Sequence, residues 1–78
     1  MKEGLRQYII DKCLYGEGEL DDDALLFEEG IMDSIGLVKM LNFIEETFNI
    51  SFGMADVTVE NFSSLATIME TLEAKAKN

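Results

Sequence analysis

Histidine, proline and tryptophan are absent from this sequence of 78 residues, and cysteine occurs once. Without histidine, no serine in the chain has the imidazole base that serine hydrolases use to take the serine proton. A single cysteine and no histidine also leave no thiol pair for an internal disulfide and no ligand set typical of structural zinc. Stability must therefore come from packing of apolar side chains, in a domain small enough that its core is thin.

Basic residues are also few, since six lysines and arginines stand against sixteen acids and give a formal charge of −10. A chain this acidic is repelled by phosphate backbones and anionic lipid, so we expect basic protein partners and neither nucleic acid nor a membrane surface. No apolar run approaches the about 18 residues of a membrane span, and no signal-peptide core follows the N terminus. With the lone thiol, these absences predict a cytoplasmic protein.

Apolar residues recur every three or four positions in three stretches, which predicts three main helices. The first runs from residue 2 to about residue 15 and ends in a segment containing glycine, which adopts the positive φ that terminates helices. The second begins at Ser34 and ends near Phe48 and Asn49. The third follows the capping pair Ser63–Ser64. A shorter helical turn is predicted at residues 56–62.

The apolar face of each helix is expected to form the core. On the first helix this face is Leu5, Ile9 and Cys13. On the second it is Leu37, Leu41, Ile44 and Phe48, widened by Ile35 and Val38. On the third it is Leu65, Ile68, Met69 and Leu72. The connection over residues 17–33 should include one short turn, around Asp23 to Leu26. It should pack onto the helices through its apolar side chains, which are Leu20, Leu25, Leu26, Phe27 and Ile31. The sequence therefore predicts a single all-α domain over residues 1–78, with three main helices, one short helix and a long ordered first loop.

Ser34 is the candidate functional residue, and two interpretations of it are open. Asp33 and Ser34 are residue types that cap helix N-termini, so one interpretation is a structural cap only. The other is a modification site, because the amino end of a helix favours an attached phosphate and the six acids in residues 21–33 attract a basic partner. The chain has no base to activate this serine and no glycine–x–serine–x–glycine elbow. A separate enzyme would have to modify it.

Other chemistry has weaker support. The acids occur in charge runs on predicted solvated faces, so we expect no catalytic carboxylate pair and no enzyme. The run Asp21 to Asp23 lacks the alternating ligands, the glycine and the distal glutamate of an EF-hand loop, so we expect no metal site. Cys13 is expected to be a small buried side chain.

The stretch from Leu26 to Val38, continued by Phe43 to Ile50, resembles the acyl carrier protein family. The family has Asp-Ser-Leu at the start of its second helix, where this chain has Asp-Ser-Ile, and a downstream Leu/Ile-Glu-Glu-x-Phe-x-Ile, which this chain matches from Ile44 to Ile50. Residues 61–68 are also similar to the family's turn into its final helix. The resemblance covers essentially the whole chain.

This resemblance implies a monomeric four-helix carrier domain with no catalysis of its own. A phosphopantetheinyl transferase would attach 4′-phosphopantetheine from coenzyme A to Ser34, and the thiol of that arm would carry an acyl or aminoacyl group as a thioester. Asp33 would present the serine to the transferase and its magnesium ion. The partners would be loading ligases, synthases or transferases with basic patches. Residues expected to contact them are Ile35, Lys39, Glu45, Glu46 and Asp56.

Two positions depart from the fatty-acid members of the family, which usually have acids where this chain has Gly36 and Lys39. The departures favour a specialised carrier over the housekeeping fatty-acid carrier. Such a carrier would serve polyketide or nonribosomal peptide synthesis, cell-envelope modification or a dedicated ligase. Two alternatives remain: an acidic helical adaptor that binds a basic protein and is never modified, and a small metal-binding regulator that uses Asp21 to Asp23.

Overall fold

The computed structural model describes residues 2–76, which contain three α-helices and no strand. Helix α1 spans Lys2–Cys13, α2 spans Ser34–Phe48 and α3 spans Leu65–Ala76. The described chain measures 35 × 21 × 21 Å along its principal axes. Helix α1 packs against both α2 and α3. The predicted all-α architecture and its three main helices are confirmed.

Both ends of α2 lie where the sequence predicts them. Asp33 precedes the helix in an extended conformation (φ −115°, ψ −175°), and its Oδ1 accepts a hydrogen bond of 2.7 Å from the Gly36 N–H. Asn49 ends the helix in the left-handed conformation (φ 58°, ψ 41°), which asparagine tolerates better than most residues. The helix is thus bounded by a side-chain cap at one end and a backbone reversal at the other.

Helix α1 ends two residues earlier than predicted. Tyr15 and Gly16 both have positive φ (56° and 78°), and the Gly16 N–H donates a hydrogen bond of 2.9 Å to the Ile10 carbonyl. The reversal therefore begins at a tyrosine, one residue before the glycine expected to cause it.

The predicted cap of α3 is confirmed. The Thr67 N–H donates to Ser64 Oγ at 3.2 Å, and the Ser64 N–H donates to Thr67 Oγ1 at 3.0 Å. This reciprocal pair satisfies two of the N–H groups that a helix start leaves without partners.

The short helix predicted over residues 56–62 is only partly right, because a 3-10 turn forms earlier, over Met54–Asp56, and residues 59–62 form a hydrogen-bonded turn. Asp56 closes this turn: its carboxylate accepts a hydrogen bond of 2.8 Å from the preceding Gly53 N–H. Its Oδ2 thus bonds to a residue before the predicted helix and to Lys75, and no N–H after Asp56 bonds to its carboxylate within residues 2–76. Thr58 Oγ1 accepts from the Asn61 N–H at 3.1 Å, but this bond closes an isolated turn.

The core contains apolar residues from all three helices and from the loops. Its fully buried side chains are Leu5, Ile9, Leu26, Met40, Ile44, Phe62, Leu65, Ile68 and Leu72. The predicted face of α3 is confirmed. The predicted face of α2 is partly wrong, since Met40 is fully buried while Ile35 and Val38 are 67% and 57% exposed.

The connection between α1 and α2 is ordered, as predicted. Leu20, Leu26 and Met32 are buried, and the Leu26 N–H donates a hydrogen bond of 2.8 Å to the Ser63 carbonyl. Leu25 is 41% exposed and does not join the core as expected. The turns lie at residues 22–23 and 26–30, on either side of the predicted one.

Over residues 2–76, no helix is both long enough and apolar enough to cross a membrane.

Candidate functional site

Ser34 is the first residue of α2, and its side chain is exposed. Its hydroxyl makes no hydrogen bond with any other residue in the range 2–76. The amino end of this 15-residue helix carries a partial positive charge that favours an attached phosphate. An accessible hydroxyl at such a helix end fits a covalent phosphodiester.

Asp33 performs the capping that the sequence allowed for either residue. Its carboxylate accepts from the Gly36 N–H, and its main-chain carbonyl accepts from the Leu37 N–H at 2.9 Å. The residue is nevertheless exposed, so its carboxylate is both held by the Gly36 N–H and accessible to a partner. Because Asp33 is the cap, a capping role does not account for Ser34.

The backbone that leads to Ser34 is held by hydrogen bonds to the loop and by burial of Met32. Met32 is buried, and its N–H and that of Ile31 both donate hydrogen bonds of 2.9 Å to the Leu26 carbonyl. Gly30 adopts a positive φ of 72° at the preceding turn, a conformation that favours glycine. These contacts fix the direction in which the chain enters α2.

A groove of about 400 Å³ lies between α1 and α2, near the amino end of α2, and we call it the α1–α2 groove. Its lining residues are Tyr8, Lys12, Cys13, Ile35, Gly36 and Lys39. Sequence analysis missed this groove, because its residues come from two elements whose packing no local pattern specifies. Helical spacing does place Ile35 and Lys39 on one face of α2, but nothing in the sequence pairs that face with Lys12.

The wall contributed by α1 is partly buried. The Tyr8 ring stacks on Phe43 with 4.2 Å between ring centroids, and burial raises the pKa of the Tyr8 hydroxyl. Cys13 is half-buried, where a buried side chain was expected. Burial raises the pKa of its thiol, and the negative charge of Asp33 raises it further. The negative charge of Asp33 therefore affects the Cys13 thiol inside the groove.

The five predicted partner-contact residues occupy different settings. Ile35 and Lys39 are exposed and line the α1–α2 groove. Glu46 is exposed further along α2, whereas the half-buried Glu45 accepts a hydrogen bond of 3.2 Å from the Phe52 N–H. Asp56 lies on the 3-10 turn, where the Lys75 ammonium, at 2.7 Å, and the Gly53 N–H lower the pKa of its carboxyl. Asp33, Ser34, Ile35 and Lys39 lie at the amino end of α2, Glu46 follows on the same face of the helix by its spacing, and Asp56 lies apart on the 3-10 turn.

The run Asp21 to Asp23 is not arranged as a metal site. Across residues 2–76, no group of three or more histidine, cysteine or acidic side chains is placed to hold a metal ion. Asp22 instead binds Lys2 and Arg6 of α1, and these hydrogen bonds lower the pKa of its carboxyl. Asp22 therefore joins the loop to α1.

Comparison with known proteins agrees with this geometry. The chain matches the family described as "Phosphopantetheine attachment site" over residues 3–72. It is also similar to a protein of Serratia sp. (strain ATCC 39006) named "Probable acyl carrier protein PigG", with 26% identity over 74 residues that cover 94% of this chain and 85% of that protein. The chain therefore belongs to the acyl carrier protein family, whose domains carry covalently attached 4′-phosphopantetheine.

Proposed function

We propose that Ser34 is the residue to which 4′-phosphopantetheine is attached. The observation that carries this proposal is the exposed Ser34 hydroxyl, which has no partner within residues 2–76 while the adjacent Asp33 caps the helix. The proposal is further supported by the amino end of α2, which stabilises a phosphate on its first residue.

The attachment is a phosphoryl transfer between this chain and coenzyme A. The Ser34 oxygen bonds to the phosphorus next to the pantetheine, and the pyrophosphate bond of coenzyme A breaks. Adenosine 3′,5′-bisphosphate leaves with the bonding electron pair, and the serine proton passes to a base of the transferase. This chain supplies the hydroxyl and its presentation, and the transferase supplies the catalysis.

The carrier then moves an acyl or aminoacyl cargo between partner enzymes. The bound cofactor supplies a thiol that holds the cargo as a thioester, which keeps its carbonyl reactive. Because the cargo is tethered to Ser34, its effective concentration at a docked partner's active site is high. The binding energy that selects partners comes from the surface of this domain.

The exposed face of α2 is the proposed docking surface. Ile35 is 67% exposed and Val38 is 57% exposed, so both can contact an apolar patch on a partner. Glu46 is exposed further along the helix and can contact a basic residue. Glu45 and Asp56 remain proposed contacts too, although their carboxylates also hold backbone N–H groups of this chain.

A specialised pathway remains the proposed setting. Gly36 and Lys39 stand at positions where the fatty-acid members of the family usually have acids, and Lys39 reverses the charge there. Enzymes that dock on a strongly acidic second helix would meet a weaker negative field at this point. A dedicated loading enzyme with a different charge pattern fits this surface better.

Intact-mass measurement tests the attachment site. Incubation of the apo protein with coenzyme A, magnesium and a broad-specificity phosphopantetheinyl transferase should add the mass of one phosphopantetheine. Ser34→Ala should gain none, and the matched variant Ser51→Ala, which alters another exposed serine, should be modified like the native protein. An unchanged mass for the native protein would contradict the proposal and favour the unmodified adaptor.

Asp33→Asn tests whether Asp33 serves the transferase as well as the helix. Asparagine caps helices about as well as aspartate, so the free energy of unfolding should change by only a few tenths of a kcal/mol, whereas loss of the carboxylate should slow modification. Asp33→Ala should slow it too and also cost about 1 kcal/mol of stability. Urea unfolding and initial modification rates provide the two measurements. If Asp33→Asn were modified at the rate of the native protein, the role of Asp33 would be limited to capping α2.

A further inference from the structure

The basic residues within the described range 2–76 fall into two groups. Lys2 and Arg6 bind Asp22, and Lys75 binds Asp56. Lys12 and Lys39 form no ion pair or hydrogen bond through their side chains with any residue between 2 and 76. In a chain with sixteen acids, two ammonium groups without a carboxylate partner are available to an external anion.

Both of these lysines line the α1–α2 groove. Lys12 comes from α1 and Lys39 from α2, so the packing of the two helices brings the charges to one concave site. The groove of about 400 Å³ has the size of small-molecule sites, which run from about 300 to 1,000 Å³. Tyr8 and Ile35 provide apolar surface in the same groove. A chain with an apolar stem and an anionic end matches this lining.

The groove also borders the proposed attachment point. Ile35 and Gly36, which line it, directly follow Ser34 in α2. The negative charge of Asp33 acts on the Cys13 thiol in this groove and opposes an anion there, but the two lysine charges outnumber it. A cargo tethered at Ser34 therefore meets the groove at an effective concentration far above that of a free ligand.

We propose that the α1–α2 groove binds a carboxylate-bearing cargo, with Lys12 and Lys39 contacting the carboxylate and Tyr8 and Ile35 contacting the stem. This inference rests on the proposed attachment at Ser34 and adds a cargo class, an acyl group with a second, free carboxylate. The two ion pairs are exposed, so salt should weaken them. The concave shape of the site favours a tethered small group over a flat, acidic protein surface.

The test compares two cargoes of equal shape and different charge. The apo protein is loaded from coenzyme A analogues that carry glutaryl or 5-methylhexanoyl groups through an amide, which replaces the thioester and resists hydrolysis. The carboxylate of the first corresponds to the isopropyl end of the second. In ¹⁵N–¹H spectra, the glutaryl form should shift the amides of Lys12, Cys13, Ile35, Gly36 and Lys39 relative to the 5-methylhexanoyl form. These differences should shrink at high salt.

Variants separate the two lysines from other charges. The double variant Lys12→Gln/Lys39→Gln should abolish the shift differences, and its spectrum also shows whether it is folded. Lys2→Gln is the matched control, because Lys2 carries the same charge, binds Asp22 and does not line the groove. It should keep the differences.

The outcomes distinguish this inference from the proposed function. Failure of the native protein to gain mass during loading would overturn attachment at Ser34 and this inference with it. Successful loading with the same shifts for both cargoes would overturn the inference alone. Shift differences that persist in the double lysine variant would also overturn it, since the carboxylate would then be bound elsewhere.

Discussion

Gly36 is a position where the cap of α2 leaves little room for a side chain. A Cβ placed on Gly36 would lie 3.2 Å from Asp33 Oδ1 and 3.2 Å from Met32 Cγ. Met32 is buried and Asp33 is held by its bond to the Gly36 N–H, so neither neighbour can move without loss. The glycine therefore allows the close cap geometry next to Ser34, at the cost of some helix propensity.

Alanine at Gly36 should stabilise the protein less than alanine at Gly4. A Cβ on Gly4 would lie 3.9 Å from Phe48 Cζ, an ordinary contact, so Gly4→Ala should raise the free energy of unfolding by about 0.5–1 kcal/mol. Gly36→Ala should gain less than this or lose stability, because displacement of the cap offsets the gain in propensity. Urea unfolding of both variants provides the comparison. An equal gain at both positions would show that the cap tolerates the methyl group.

The division of roles between Asp33 and Ser34 shows what sequence can predict at the residue scale. Residue types alone predicted that a cap lies at this point, because both side chains carry an acceptor oxygen. They could not decide which residue is the cap. That depends on which one has extended backbone angles before the first helical turn, and Asp33 does.

At the scale of elements, the loop between α1 and α2 is part of the core. Leu26 is fully buried, its N–H donates to the Ser63 carbonyl, and its own carbonyl accepts from Ile31 and Met32. One residue thus joins the loop to the start of α3 and to the backbone that leads into α2. The loop is stabilised by the same burial that stabilises the helices.

Leu26→Ala should therefore destabilise the protein as much as a core substitution in a helix. Loss of a fully buried leucine typically costs about 2–5 kcal/mol, a large part of the stability of a small domain. Leu25→Ala is the matched control, because Leu25 is 41% exposed and its loss should cost about 0.5 kcal/mol or less. Thermal or urea unfolding measures both. Similar small effects at the two positions would mean that the loop is only loosely packed.

Elements were predicted well where a local pattern decides them and less well where tertiary contacts do. The cap of α3 and the asparagine that ends α2 are local, and both were confirmed. The short helix predicted over residues 56–62 does not form over that range. The Asp56 carboxylate instead accepts a hydrogen bond from the preceding Gly53 N–H and pairs with Lys75, which is distant in sequence. Met40 was missed because the orientation of α2 against α1 and α3 decides which side of its apolar face is buried.

At the scale of the whole molecule, ion pairs join segments that are distant in sequence. Asp22 joins the first loop to α1 through Lys2 and Arg6, and Asp56 joins the 3-10 turn to α3 through Lys75. The Lys75 ammonium also lies 5.7 Å from the centre of the Phe52 ring. These bases offset part of the negative charge where separate parts of the chain meet.

The contribution of Asp56 to stability should depend on pH. Lys75 and the Gly53 N–H lower the pKa of the Asp56 carboxyl in the folded state. The charged carboxylate therefore stabilises the fold above the pKa that Asp56 has in the unfolded chain. This stabilisation is lost as the pH falls through the pKa of the folded state. The native protein should exceed Asp56→Asn in stability near neutral pH, and the difference should vanish as the pH is lowered from about 5 through the range in which carboxyl groups titrate.

The measurement is urea unfolding of both proteins across that pH range. Asp23→Asn is the control, because Asp23 is exposed and its side chain makes no contact of this kind within residues 2–76. It should show no comparable loss. A constant difference between native and Asp56→Asn at every pH would mean that the carboxylate contributes nothing through its charge.

Composition predicted the strong negative charge but not the distribution of the few bases. The lysines are similar by sequence, yet Lys75 is paired with a carboxylate, while Lys12 and Lys39 line the α1–α2 groove without a carboxylate partner in residues 2–76. Only the packing of α1 against α2 decides this, so the groove could not be predicted from residue spacing.

The setting of Cys13 has a consequence for where a cargo stays. The proposed modified protein would contain two thiols, that of the arm and that of Cys13, and the nucleophilic form of each is the thiolate. Burial and the nearby Asp33 raise the pKa of the Cys13 thiol, so at neutral pH this sulfur is protonated and a poor acceptor for transthioesterification. We therefore expect the cargo to stay on the arm, because the packing of Cys13 makes this thiol less reactive than an exposed one.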